Sequence, residues 1–259
     1  MLCARCQHFA AVPGATLCAQ CAVAPPPPAP PFAAPPAAWL RSPVGLGRAA
    51  AWVLGLVVAV DLFAVWADLT MLDVAGDLAD GTYGPGIRER ADDADTLYGL
   101  AGLAQLTVLI ASAVVFLCWF HRVRVNAEVF APFGHAKRRG WAIGAWFTPV
   151  VNFWYPRRIT LDIWDASSPW GPPRSHALIN VWWTLWLVSL VTSRAAYSQG
   201  QEAESPTDLH DSARQMLFAD AVDIVAAVLA ILVVVRLTRM QHLKALAGPL
   251  PTDPAPTAP

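Results

Sequence analysis

Four apolar stretches recur along the chain, roughly Arg48–Ala67, Leu97–Phe120, Ala177–Tyr197 and Ala213–Leu237. Each comes near or above the ~20 residues that a helix rising ~1.5 Å per residue needs to cross ~30 Å of hydrocarbon. The pattern predicts four transmembrane helices at about 48–67, 97–120, 177–197 and 213–237, inside a helical domain covering 44–245. A further apolar run, Trp141–Tyr155, is too short to span and contains Pro149. Lys137-Arg138-Arg139 precede it and Pro156-Arg157-Arg158 follow it. Such a segment is expected to lie in the membrane interface as a helix broken at Pro149, or to dip into the bilayer and return. The expected fold class is an all-α membrane protein with four transmembrane helices and an interfacial or re-entrant segment in its middle loop.

Composition supports this reading against a soluble globular domain. Hydrophobic residues make up 56% of the chain and charged residues 14%, with a mean hydropathy of +0.42. The net charge of -1 conceals a segregation. Between the first two spans the chain carries Asp68, Asp73, Asp77, Asp80, Glu89, Asp92, Asp93 and Asp95 against Arg88 and Arg90. After the third span it carries Glu202, Glu204, Asp208 and Asp211. The middle loop is basic, with Arg122, Arg124, Lys137, Arg138, Arg139, Arg157, Arg158 and Arg174, and Arg236, Arg239 and Lys244 close the fourth span. Basic residues gather on the side that is not translocated. The middle loop and both termini are therefore expected in the cytoplasm, with the acidic stretches outside, in a multi-pass protein of the inner (plasma) membrane. The first residues lack an apolar h-region, so the first span is expected to act as an uncleaved signal anchor. The basic stretches flank membrane segments and carry no nucleic-acid-binding motif, so the lipid bilayer is the expected partner and nucleic acid is not.

Four of the five cysteines sit at the N-terminus as Cys3-Ala-Arg-Cys6 and Cys18-Ala-Gln-Cys21. Two CxxC pairs joined by a short loop suit a tetrahedral thiolate site, and Pro13-Gly14 supplies a turn midway. A segment of this size buries too little apolar surface to fold alone, and a structural zinc would supply the missing free energy. Paired disulfides would need an oxidising compartment, which the expected cytoplasmic side opposes. A rubredoxin-like iron site would need a longer chain around its metal. His8 lies close by, but four thiolates already fill a structural site. Residues 1–23 are thus read as a zinc-ribbon-like knuckle with Cys3, Cys6, Cys18 and Cys21 as ligands. Residues 24–43, nearly all Pro and Ala, read as a semi-rigid polyproline spacer, and 246–259 as a disordered tail. Cys118, alone in the second span, reads as a small apolar residue.

One segment resembles a known family. Trp119-Phe120, Arg122, Asn126-Ala127, Gly140-Trp141, Trp146-Phe147, Pro149, Asn152, Pro156 and Trp164-Asp165-Ala166-Ser167 resemble a bacterial membrane-protein family catalogued as domain of unknown function 4328. The resemblance covers roughly Trp52 to Leu243. It implies a four-span architecture, often with an N-terminal zinc ribbon and a proline-rich linker, and supplies no activity.

Charged residues also fall inside the apolar stretches. Asp61 lies in span one, Asp220 and Asp223 in span four, and Arg194 near the outer end of span three. A carboxylate at mid-membrane costs ~2.5–3.5 kcal/mol on insertion scales, so these side chains are expected to avoid lipid. Asp220 and Asp223 share one helix face. The expectation is a buried polar cluster with Arg194 offsetting one or two carboxylates. Such a cluster is either an ion, proton or small-ligand site, or packing glue near the outer interface.

No GxSxG, HExxH, phosphate loop or GxGxxG in a suitable setting is present, so an enzyme is not expected. The favoured reading is a membrane-anchored scaffold or sensor presenting its zinc knuckle to a cytoplasmic protein through residues 1–43. The alternative is a small transporter or channel using the intramembrane Asp cluster. As a homo-oligomer it would gain the pore wall that four spans alone make thin.

Overall fold

The computed structural model describes residues 2–4, 6–23, 40–169 and 174–248. Seven α-helices and one 3-10 turn make up its regular structure, and no strand occurs among the described residues. The chain divides into two compact units, Met1–Ala38 and Trp39–Pro259.

The N-terminal unit is a pair of turns folded on each other. Leu2 and Ala10 form an isolated antiparallel bridge. Between them Gln7 donates to the Cys3 carbonyl at 2.9 Å and takes a left-handed backbone with φ 57°. The second turn passes through Gly14, whose φ of 86° suits a residue without Cβ. It leads into the single turn α1 (Ala19–Val23). Most of the proline-rich spacer lies outside the described residues.

The larger unit is built on four long helices: α2 (Val44–Ala79), α3 (Pro85–Phe130), α6 (Ala177–Glu202) and α7 (Pro206–Ala247). Helix α2 packs on both α3 and α7, and α7 packs on α6 as well as α2. At one end of this row lie α4 (Trp141–Phe147), the 3-10 turn Val151–Phe153 and α5 (Tyr155–Ser167), which touches α3, α6 and α7. Helices α2, α3 and α7 are each long and apolar enough to cross a membrane. Their length and composition point to a membrane protein.

The helices overrun the apolar stretches that predicted them. At ~1.5 Å per residue, α3 is ~69 Å long, about twice the ~30 Å hydrocarbon thickness. The acidic stretch expected as a loop is therefore mostly helix, and only Asp80–Gly84 connect α2 to α3. The reason is a second, smaller core that the apolar stretches do not reveal. Met71, Val74, Ile87, Ala94 and Ala213 are buried together, with Leu72, Leu78, Tyr98 and Leu209 packed around them. The acidic residues occupy the other faces, and Arg90 bridges Asp73 at 2.5 Å and Asp77 at 2.7 Å. Gly81, at φ 81°, ends α2, and Pro85 opens α3. Helix α7 starts at a capping box in which Ser205 and Asp208 satisfy each other's backbone amides. It ends before Gly248, at φ 71°; the rest of the expected tail lies outside the described residues.

The middle segment breaks where Pro149 predicted. Helix α4 stops at Phe147, and Val150 takes φ 68° and ψ -51°, a positive-φ turn rarely open to a β-branched residue, closed by the Val151 amide on the Pro149 carbonyl at 2.7 Å. The Trp183 indole donates to the Phe153 carbonyl at 3.0 Å and pins the break to α6. The main core gathers here: Phe116, Trp119 and Phe120 of α3, Trp146 of α4, and Trp182, Trp183 and Trp186 of α6 pack edge to face or tilted, with Phe116 and Phe120 stacked, at 4.6–6.3 Å.

Candidate functional site

The N-terminal cysteines meet as their spacing predicted. The sulfurs of Cys3, Cys6, Cys18 and Cys21 all lie within 4.8 Å of one another, and none is joined in a disulfide. Cys6 and Cys18 are 3.8 Å apart, sulfur to sulfur. A tetrahedral zinc with Zn–S bonds of ~2.3 Å has S···S edges of about 3.8 Å, so the donor set fits that geometry. A disulfide at ~2.0 Å does not describe this pair. The backbone amides of His8 and Phe9 reach the Cys6 sulfur and hold its thiol below the ordinary range. The hydrogen bond with Cys18, with burial behind it, pushes Cys21 up to about 12. A divalent cation would remove this asymmetry by deprotonating all four thiols. His8 turns its Nδ1 to the Cys6 carbonyl at 2.5 Å, so it serves the turn rather than the sulfur cluster.

The second site lies among α2, α3, α6 and α7. Asp61 and Asp220 come together through a residue the sequence reading did not single out. The Gln105 amide of α3 donates to Asp61 Oδ1 at 3.2 Å and to Asp220 Oδ1 at 3.1 Å. Asp68, expected in the outer acidic loop, lies two helical turns beyond Asp61 on the same face of α2 and meets Asp220. Ser189 of α6 stands beside Asp223. Asp61, Asp68 and Asp220 are 3%, 1% and 7% exposed. Oδ2 of Asp61 and Oδ2 of Asp68 are buried with no hydrogen-bond partner.

Arg194 does not join them. It is exposed and forms no ion pair among the described residues. The expected offset of carboxylate by guanidinium is therefore absent from the cluster. The physical reason is position: Arg194 stands on the exposed side of α6, whereas Ser189 faces α7. Like charges in apolar surroundings call for a counter-charge, which leaves protons shared among the carboxylates or a bound cation. Two signals in the sequence pointed to the missed members. Gln105 is the sole amide side chain between Leu97 and Phe120, and Asp68 follows Asp61 at a seven-residue interval.

A third polar assembly closes the opposite end of the same helices. Asn126 of α3 donates to the Arg41 carbonyl at 2.8 Å and to Gln241 Oε1 at 3.1 Å, and accepts from the Arg41 amide at 3.1 Å. Gln241 of α7 donates to the Val123 carbonyl at 2.8 Å and to Ser167 Oγ at 3.0 Å. Lys244 caps α5 by donating to the Ala166 and Ser168 carbonyls at 2.8 and 2.9 Å. The Trp119 indole donates to Thr238 Oγ1 at 2.9 Å. Arg124 pairs with Glu128 at 2.8 Å and donates to the Lys137 carbonyl at 2.6 Å, and Arg139 also bonds Glu128.

The family model described as Domain of unknown function (DUF4328) matches residues 87–239, more than half of the chain. The chain belongs to this family. No curated protein and no solved structure matches it. The DUF4328 match takes in Gln105, Asp220 and Asp223, and leaves Asp61, Asp68 and the four cysteines outside. The geometry gives the motif residues of DUF4328 a physical role. Trp119, Asn126, Trp146, Ala166 and Ser167 hold α3, α4 and α5 to α6 and α7 through indole contacts and buried hydrogen bonds. The motif is a clasp at one end of the helices, and the carboxylates stand apart from it.

Proposed function

We propose that this chain is a four-span, non-enzymatic membrane sensor. Its helical domain binds protons or a small hard cation at Asp61, Asp68, Asp220 and Asp223, and its cytoplasmic zinc knuckle is presented to a protein partner. The observation that carries the reading is the carboxylate cluster. Buried acidic groups from two helices converge on one amide, with bare oxygens and, among the described residues, no ion pair to a cationic side chain. Oxygen-only donors favour a proton, Na+, Mg2+ or Ca2+ over softer metals. Their site straddles the α2–α3–α7 contacts, so occupancy would change how those helices pack. The thiolate geometry supports zinc in the knuckle.

Four spans follow if α6 crosses alongside α7. At ~1.5 Å per residue its 26 residues extend ~39 Å. Its far end meets the start of α7, where a Cβ on Gly200 would lie 3.0 Å from Ser212 Oγ. Its middle meets Asp223 through Ser189. An antiparallel neighbour of a membrane-crossing helix shares its depth. Part of what lowers its hydropathy, Trp182, Trp183 and Ser189, is buried in the core rather than turned to lipid.

The test is thermal unfolding of the full chain in detergent, with Na+, Mg2+ or Ca2+ added or with pH lowered. At least one of these raises the midpoint of the wild type and fails to raise that of Asp220→Asn. If none does, and Asp61→Asn, Asp220→Asn and Asp223→Asn all unfold like the wild type, the carboxylates are packing alone. A second reading, a small transporter, is favoured by the same bare oxygens. Cation or proton flux into liposomes that Asp223→Asn abolishes would select it. For the knuckle, a pull-down with and without residues 1–23 is expected to differ by at least one bound protein, and identical partners would remove its presenting role.

A further inference from the structure

At the clasp end of α7 three arginines line one cavity of about 470 Å³: Arg174 ahead of α6, and Arg236 and Arg239 on α7. Ser175 and the Trp164 ring also line it, and among the described residues no carboxylate does. All three arginines are exposed, and none forms an ion pair among the described residues. Guanidinium groups gathered without a counter-anion match the oxygens of a phosphate, which they bind as two-pronged donors.

The adjoining face of α7 supplies the other half of the ligand. A second, mostly apolar cavity of about 540 Å³ runs between α2 and α7, lined by Ala51, Trp52, Gly55 and Val235 together with Arg48 and His242, and it shares Arg239 with the first. Residues 235, 238, 239 and 242 form one stripe of α7 at helical spacing, and 236, 239, 240 and 243 form the next. Arg239 lies on the seam. A phosphate pocket and an apolar groove that meet at one arginine, on a helix able to cross a membrane, are the two parts of a phospholipid site.

We propose that this surface binds one anionic phospholipid. Its phosphate is held by Arg174, Arg236 and Arg239, and an acyl chain lies in the groove between α2 and α7. The inference is independent of the carboxylate site, whose residues lie elsewhere along the same helices. Zwitterionic lipids carry a cation beside the phosphate that three arginines repel, so the site discriminates by net charge.

The test uses the full chain, purified in detergent and partially delipidated. Lipid retention is read by native mass spectrometry with phosphatidylglycerol, phosphatidylcholine or glycerol 3-phosphate as probe. Retention of phosphatidylglycerol is expected to exceed that of phosphatidylcholine, and to fall about fivefold for each arginine removed, in Arg174→Gln and in the double variant Arg236→Gln/Arg239→Gln. Arg138→Gln, an exposed arginine outside the cavity, is expected to leave it unchanged. Comparable loss in Arg138→Gln, or equal retention of the two lipids, overturns the site. Binding of glycerol 3-phosphate as tight as that of phosphatidylglycerol overturns the lipid as its occupant. Because Arg174 lies outside any helix, its variant gives a result even if the double variant unfolds.

Discussion

Gln241 meets three partners at once from inside the protein, taking a hydrogen bond from Asn126 and giving one each to the Val123 carbonyl and Ser167. Replacing it by leucine keeps the volume and removes all three hydrogen bonds. A buried polar group left unpaired costs about 1–3 kcal/mol, so Gln241→Leu is expected to lower the thermal midpoint in detergent by several degrees. Leu243→Gln, on the exposed side of the same turn, should change it little. At the cysteines the expected outcome is compositional. The purified chain should carry about one zinc ion, released by a chelator, and Cys18→Ser should carry almost none; elemental analysis decides this. The cysteines were readable in the sequence because ligand spacing is local, with each pair held in a single turn. Gln105 was not, because its role comes from α2 and α7, far away along the chain.

Among the elements, the contact of α2 with α7 is the most exacting. A Cβ on Gly47 would lie 2.4 Å from Thr238 Oγ1, the atom that accepts the Trp119 indole. Gly47→Ala therefore has to displace Thr238 or spread the helices, at a cost of about 1–3 kcal/mol. Gly45→Ala meets open space and should leave stability unchanged or slightly raised. Comparing their unfolding midpoints separates close packing from general helix propensity. Helix positions were legible from the apolar runs, and the break at Pro149 from the proline itself. Helix ends were not. The stretch from Asp68 to Asp95 reads as an acidic loop because charge density hides its sparse apolar positions. Only with α2, α3 and the start of α7 side by side do Val74, Ile87 and Ala213 become a core.

For the molecule as a whole, the charge segregation along the chain recurs in the larger unit as a basic end and an acidic end. The basic residues gather around α4, α5 and the ends of α3 and α7, and the acidic ones around the α2–α3 and α6–α7 turns. Among the described residues three helices are long and apolar enough to cross. With three crossings the termini would face opposite sides, whereas α6 as a fourth returns the C-terminus to the side of the first. Sidedness therefore decides between a four-span sensor with its knuckle in the cytosol and a different protein altogether. The most direct measurement is labelling of single cysteines at Tyr83, Ser205 and Gly248 in whole cells, in a chain with its native cysteines replaced by serine. A membrane-impermeant maleimide is expected to label Tyr83→Cys and Ser205→Cys in intact cells, and Gly248→Cys only after the cells are opened. Labelling of Gly248→Cys in intact cells together with Tyr83→Cys, with Ser205→Cys protected, would contradict the four-span account.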